Sequence, residues 1–290
     1  MNENQLKSMI EQIVNEMKGS QASEPAKATC SVNDSDACLA EDITAYEMED
    51  FLRVPSPENE DAYKSYKKNT PARVGIWRAG PRYTTETMLR FRADHAVAQD
   101  AVFSDVSEEY LADKGWPVLK TRVEDKDEYI TRPDLGRLLD DASEKELRTL
   151  QPSAPQVQVY MSDGLSSTAI ETNAYDTFKA IEQGLKGHGL TMGKPFFVKY
   201  GRVPAMDHIS EITGADVTVV LIGERPGLAT GESMSCYMIY KGKVGNKESL
   251  RTVISNIHKN GTPAVEAGAH IADVIKKIHE MKKSGVDLKL

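Results

Sequence analysis

The sequence is short of cysteine, of tryptophan and of long apolar runs, and each shortage excludes a class of protein. Three cysteines occur in 290 residues (Cys30, Cys38 and Cys236), and three cannot all pair. Two of them fall in a polar stretch. A disulfide framework of the kind that staples small secreted domains is excluded, and a reduced, cytoplasmic setting is expected. No apolar run approaches the ~20 residues that a membrane helix needs. No apolar N-terminal core precedes a small-residue cleavage site, so a secretory leader is not expected. Familiar catalytic patterns are missing too. No G-x-G-x-x-G follows a strand, and there is no G-x-x-x-x-G-K-[ST], H-E-x-x-H or G-x-S-x-G. The six histidines (95, 188, 208, 258, 270 and 279) have no Cys or His neighbour at zinc spacing.

What is present is an ordinary globular composition, 40% hydrophobic and 28% charged, on a length that allows one or two domains. The formal net charge of -8 is unevenly placed. Residues 1–50 hold three basic and eleven acidic residues, which accounts for all of it. The other 240 residues hold 33 of each sign. A neutral body with an acidic head lacks the basic face that nucleic acid requires.

The chain divides by texture. In residues 1–19, Leu6, Ile10, Ile13 and Met17 follow the spacing of one helix face, with charged residues opposite and Gly19 at the end. A helix this short is marginal alone in water. It reads either as an extra helix on the protein's own core or as a docking helix, and the Ser-, Ala- and Asp-rich linker 20–42 that follows favours docking. Residues 43–150 look mainly helical and polar. They include a capped helix in 105–115 and another from Thr84 to Ala98. Arg73, Arg78, Arg82, Arg90 and Arg92 crowd this region. They are either internal partners of carboxylates or a contact surface for another chain or an anion.

Residues 151–290 alternate strands with helices. Strands are predicted at 157–161, 195–200, 217–222, 236–240 and 252–257. Helices are predicted at 167–185 and 206–212, and again from Thr262-Pro263 onward, with Pro263 at the first helical position. The run Val217–Ile222 is apolar enough for a strand buried on both faces. The pattern is that of an α/β fold with a largely parallel sheet flanked by helices.

Three loops follow strands: Tyr200 to Pro204, Gly223 to Leu228, and Ser255 to Pro263. In a parallel sheet these ends share one edge, where α/β folds bind ligands. Glycines there let backbone approach a ligand. Ser162-Asp163-Gly164 lies at another strand end, either as a ligand corner or as a capped turn. On residues alone, a ligand site, a stand-alone α/β enzyme using Ser162-Asp163 or Glu224-Arg225, and a non-enzymatic docking module all stay open.

A set of segments in fixed order narrows this. RAGPR (78–82), LRFRADHA (89–96), YITRPDLGR (129–137), SDGLSSTAI (162–170), PFFVKYGRV (195–203), LIGERPGL (221–228), ESMSCY (232–237) and ISNIHKNGTPAVEA (254–267) together resemble the small subunits of ethanolamine ammonia-lyases over about residues 70–285. The resemblance implies the non-catalytic subunit of a two-chain carbon–nitrogen lyase that uses adenosylcobalamin to convert ethanolamine to acetaldehyde and ammonia. It implies a large subunit that carries the catalytic residues, an assembly with several copies of each chain, and a setting in ethanolamine utilisation, often inside a bacterial microcompartment. Three cofactor contacts are carried over with it: Val203 of YGRV, Glu224 of GERPG, and Val253 just before ISNIH, where relatives often have Cys. Within this picture residues 43–150 are expected to touch the large subunit, 151–290 to form the cobalamin-binding domain, and the head to dock on a microcompartment shell. No His stands two residues after an Asp, so D-x-H-x-x-G is absent and no cobalt ligand is expected from this chain.

Overall fold

The structure is a computed structural model and describes residues 43, 46–48 and 50–289. The expected head helix (1–19) and linker (20–42) lie outside the described residues. The chain divides into the units Met1–Asp42 and Ile43–Leu290, and all that follows concerns the second.

Its first part carries helices joined by short strands. Helix α1 is Glu60–Lys68. A two-residue hairpin, β1 (Arg78–Ala79) and β2 (Arg82–Tyr83), leads into α2 (Thr85–Phe103). Helix α3 (Glu108–Lys114) is capped as its sequence requires: the Ser107 side chain accepts from the Tyr110 amide, and Gly115 closes it in the left-handed region. The chain continues through β3 (Val118–Lys120), α4 (Lys126–Thr131) and α5 (Asp141–Leu150).

The α/β part has β4 (Val157–Ser162), α6 (Ser167–Gly187), β5 (Phe197–Lys199), α7 (Ala205–Thr213), β6 (Val217–Gly223), β7 (Met234–Tyr240), β8 (Thr252–Ile257) and α8 (Ala264–Met281). Helix α8 begins one residue later than predicted, with Pro263 at its N-cap in an extended conformation.

Six strands form one sheet in the order β3-β5-β4-β6-β7-β8. The first four are mutually parallel, and β7 runs antiparallel between β6 and β8. The α/β class with a mostly parallel sheet is therefore as the sequence predicts. Strand β3 comes from the region 43–150, so the sheet draws on both sides of residue 150. Strands β4 and β6 are buried along their whole length. That explains why β6 (VTVVLIG) is almost wholly apolar and β-branched rather than alternating, while β4 (VQVYMS) buries Gln158 and Ser162 as well.

Each sheet face has its own cover. Val159, Met161, Val219 and Leu221 pack with Phe178, Ile181, Ile271 and Ile275 of α6 and α8. These helices approach closely because Gly268 faces α6: a Cβ there would meet Ala180 Cβ and Thr177 O at 2.5 Å. On the other face Tyr160, Val220 and Ile239 pack with Leu139, Leu147, Met206 and Ile209.

The arginine cluster divides by burial. Arg90 is buried, pairs with Asp94 at 3.0 Å and donates to the carbonyls of Ile43 and Tyr46. Arg73 also pairs with Asp94, at 2.5 Å. Arg78, Arg82 and Arg92 are exposed, and Arg78 lies over the Tyr83 ring at 4.4 Å.

Candidate functional site at the strand ends

The C-terminal ends of β5, β4, β6 and β8 and the start of β7 meet at one edge of the sheet, because all strands except β7 run the same way. Backbones are tightly packed there. A Cβ on Gly223 would stand 2.1 Å from Ser166 O and 2.5 Å from Asp163 O, so only glycine fits at the end of β6. Beside this edge lies an open hollow of about 200 Å³, lined by Tyr129, Leu165, Arg202, Val203, Glu224 and Tyr237 among others. Ligand pockets that enclose a drug-sized molecule run roughly 300–1,000 Å³. This hollow is a face against which part of a larger ligand can rest.

Of the three residues carried over from the resemblance, Val203 and Glu224 line the same hollow. Val253 does not. It sits on β8 directly across from Tyr237, one of the lining residues, and is 48% exposed. Opposed residues on neighbouring strands share a face. Val253 therefore extends the same surface outward from Tyr237.

Glu224 is the best-held polar group of the three. Ser233 donates to its Oε2 at 2.6 Å, Ser235 donates to Oε1, and the Asn256 amide donates to Oε1 at 3.1 Å. Asn256 reaches it because β8 is irregular there: Asn256 has φ +63 and the β7–β8 register shifts between Met234 and Cys236. Burial alone would raise the Glu224 pKa. The two serine hydroxyls, the amide and nearby His258 outweigh it and hold the carboxyl below its usual range. It is an ionised acceptor at neutral pH. A carboxylate has about four lone-pair sites, so three donors leave one for a ligand N–H. Arg202, across the hollow, keeps a buried Nε–H with no hydrogen-bond partner.

Ser162 and Asp163 lie beneath this face and are both 1% exposed. Ser162 Oγ donates to Val198 O at 2.8 Å and accepts from the Gly201 amide at 3.1 Å. It is therefore spent on structure and is no free nucleophile. Asp163 accepts from the Tyr200 and Gly164 amides at 2.8 and 3.0 Å, and Lys126 Nζ stands 3.5 Å from its other oxygen. Burial raises its pKa to about 6, against the pull of Lys126 and the two amides. The reading of Ser162-Asp163 as a capped turn or a ligand corner is resolved in favour of the turn, with a buried ion pair added.

Several residues of the site escaped the sequence reading. Tyr129 and Leu165 line the hollow from other elements. Ser233 and Ser235 had a signal: serines two apart on a strand point to one face. Lys126 had none, since its partner Asp163 is on a different element. Among the described residues no group of three His, Cys, Asp or Glu side chains converges as metal ligands. Among them, too, no helix is long and apolar enough to cross a membrane. Cys236 is a buried free thiol whose pKa burial pushes far up.

Fold and site together define an α/β protein with an open hollow at the strand-end edge of its sheet. Comparison with known proteins makes this specific. The family model described as Ethanolamine ammonia-lyase light chain (EutC) matches residues 60–289. The chain is 54% identical to an ethanolamine ammonia-lyase small subunit of Clostridium tetani, over 99% of both chains. It is 52% identical to that of Fusobacterium nucleatum and 51% to that of Listeria monocytogenes, each over the full length of both. The chain belongs to the ethanolamine ammonia-lyase small-subunit family.

Proposed function

We propose that this chain is the cofactor-covering, non-catalytic subunit of an adenosylcobalamin-dependent ethanolamine ammonia-lyase. Cobalamin is rimmed by carboxamides, each with an N–H donor and a carbonyl acceptor. The hollow pairs with the donors: an ionised Glu224 keeps one acceptor site for a carboxamide N–H. That pairing is the observation that carries the reading. The apolar surface of Val203, Leu165 and, further out, Val253 suits the hydrocarbon parts of a flat macrocycle. Val253 stands where relatives often have Cys, and it serves if the contact there is one of shape.

When bound, the cofactor supplies homolysis of its cobalt–carbon bond, which starts the radical removal of ammonia from ethanolamine. This chain's residues orient the cofactor and keep water from one side of it. The substrate-binding and catalytic residues belong to a large subunit. A hollow of about 200 Å³ that covers only part of such a ligand supports that division.

Contact with the large subunit falls to the helical region within 43–150. There α2 exposes Met88, Leu89, Val97 and Phe103, and the segment before it has a hollow of about 390 Å³ lined by Ile76, Trp77, Arg78 and Tyr83. Large exposed apolar groups rimmed by arginine mark a protein interface. The assembly holds several copies of each chain. The head of residues 1–19 docks the enzyme on a microcompartment shell.

The test is co-expression with a candidate large subunit, followed by assay of ammonia release from ethanolamine. Activity that needs both chains and adenosylcobalamin is expected. Activity of this chain alone would overturn the reading.

A further inference from the structure

The loop that delivers Arg202 and Val203 to the hollow begins with Tyr200, whose φ is +60. A bulky non-glycine residue in the left-handed region is strained, and such strain persists where the surroundings over-determine it. Here they do. All four polar backbone atoms of Tyr200 and Gly201 are bound by side chains from elsewhere. Tyr200 N–H donates to Asp163 Oδ1 at 2.8 Å, and Tyr200 O accepts from Thr121 at 2.9 Å. Gly201 N–H donates to Ser162 Oγ at 3.1 Å, and Gly201 O accepts from Tyr129 at 3.1 Å.

Of these four anchors Asp163 is the charged one. Its counter-ion, Lys126, is itself buried, stands 5.4 Å from the ring centres of both Tyr129 and Tyr200, and makes no hydrogen bond. A buried ion pair held this way adds little net stability over an apolar pair of the same size. Its presence directly beneath a ligand face calls for another explanation.

We propose that Asp163, with Lys126 as its buried counter-ion, is a positioning residue: it locks Tyr200-Gly201 in the conformation that holds Arg202 and Val203 against the cofactor. The chain of contacts is short. Asp163 fixes the Tyr200 amide, Tyr129 fixes the Gly201 carbonyl, and Arg202 in turn donates to Tyr129 O at 2.5 Å with its guanidinium 4.0 Å from the Tyr129 ring centre. Loosening the first contact frees the guanidinium and the valine together. The proposal rests on the cofactor-covering reading above.

The experiment uses the two-chain enzyme with three small subunits: wild type, Asp163→Ala, and the double variant Lys126→Met/Asp163→Asn. The double variant removes both buried charges but keeps a carbonyl that accepts from Tyr200. Three quantities are read: the dissociation constant for adenosylcobalamin, kcat at saturating cofactor, and amide exchange at residues 200–203. Asp163→Ala is expected to weaken cofactor binding by about tenfold or more, to change kcat at saturation by less than about twofold, and to speed exchange at 200–203. The double variant is expected to regain most of the affinity. A merely structural role would lower the melting temperature and leave the dissociation constant and the exchange unchanged, and that result overturns the proposal.

If Asp163→Ala does not fold, the double variant is compared with Lys126→Met/Asp163→Ala, which lacks only the acceptor. Equal affinities then overturn the proposal. If the wild-type complex binds no adenosylcobalamin, the cofactor-covering reading fails, and exchange at 200–203 still decides whether Asp163 holds the loop.

Discussion

Helices α2 and α6 span 19 and 21 residues and meet opposite surroundings. Helix α6 buries nine side chains against the sheet and α8, among them Ile170, Phe178, Ile181 and Leu185. Helix α2 buries three, Thr87, Arg90 and Ala101, and leaves Met88, Leu89, Val97 and Phe103 in the open. In α6 the apolar residues recur on one stripe. In α2 they are scattered around the axis, so no single face of this chain satisfies them. The body completes its own core, and α2 carries apolar surface that the described residues do not cover. If α2 is the contact with the large subunit proposed above, that difference separates what holds the chain together from what holds the chains to each other.

The comparison can be broken by mutation. Phe178 is 3% exposed and meets Trp116 edge-on at 6.0 Å. Phe178→Ala leaves a cavity and is expected to cost about 3–5 kcal/mol of stability, read by denaturant unfolding. Leu89, 48% exposed, sits on α2. Leu89→Ser is expected to change the stability of the isolated chain by less than about 1 kcal/mol. It is also expected to weaken co-purification with the large subunit. Comparable destabilisation by both substitutions would erase the distinction between the helices.

A smaller effect sharpens the picture at the strand ends. Glu224 has a folded pKa below its unfolded value, so its contribution to stability is present above the unfolded pKa and is lost as pH falls through the folded one. The melting-temperature gap between wild type and Glu224→Gln is expected to be constant above about pH 5 and to close in more acid solution. A gap that widens on acidification would mean that the three donors do not favour the ionised form.

The sequence disclosed the body more readily than its edges. Strand β6 was legible because burial on both faces favours unbroken β-branched and apolar residues, and VTVVLI meets that demand. Strand β3 was not. It has three residues, follows Pro117 and exposes Val118, so neither length nor alternation marks it. The shared edge was legible in outline, since three Gly-bearing loops follow strands that a parallel sheet brings to one side. Its internal chemistry was not. Asp163 and Lys126 are 37 residues apart, and the four anchors of Tyr200 and Gly201 come from the ends of β3 and β4 and from α4. Contacts of that kind depend on how the elements pack, and a single sequence carries no local pattern for them. The arginine cluster gave the same lesson. Arg90 and Arg78 look alike in sequence, yet one is an internal tie and the other faces outward.

The central claim is that the edge bearing Val203, Glu224 and Val253 lies against the cofactor. Hydrogen exchange of the two-chain complex, with and without adenosylcobalamin, tests it directly. The account predicts added protection at residues 200–204, 223–228 and 252–257, with none at the opposite end of the sheet, residues 241–247. Unchanged exchange at those three loops on cofactor binding, or protection confined to 241–247, would contradict it.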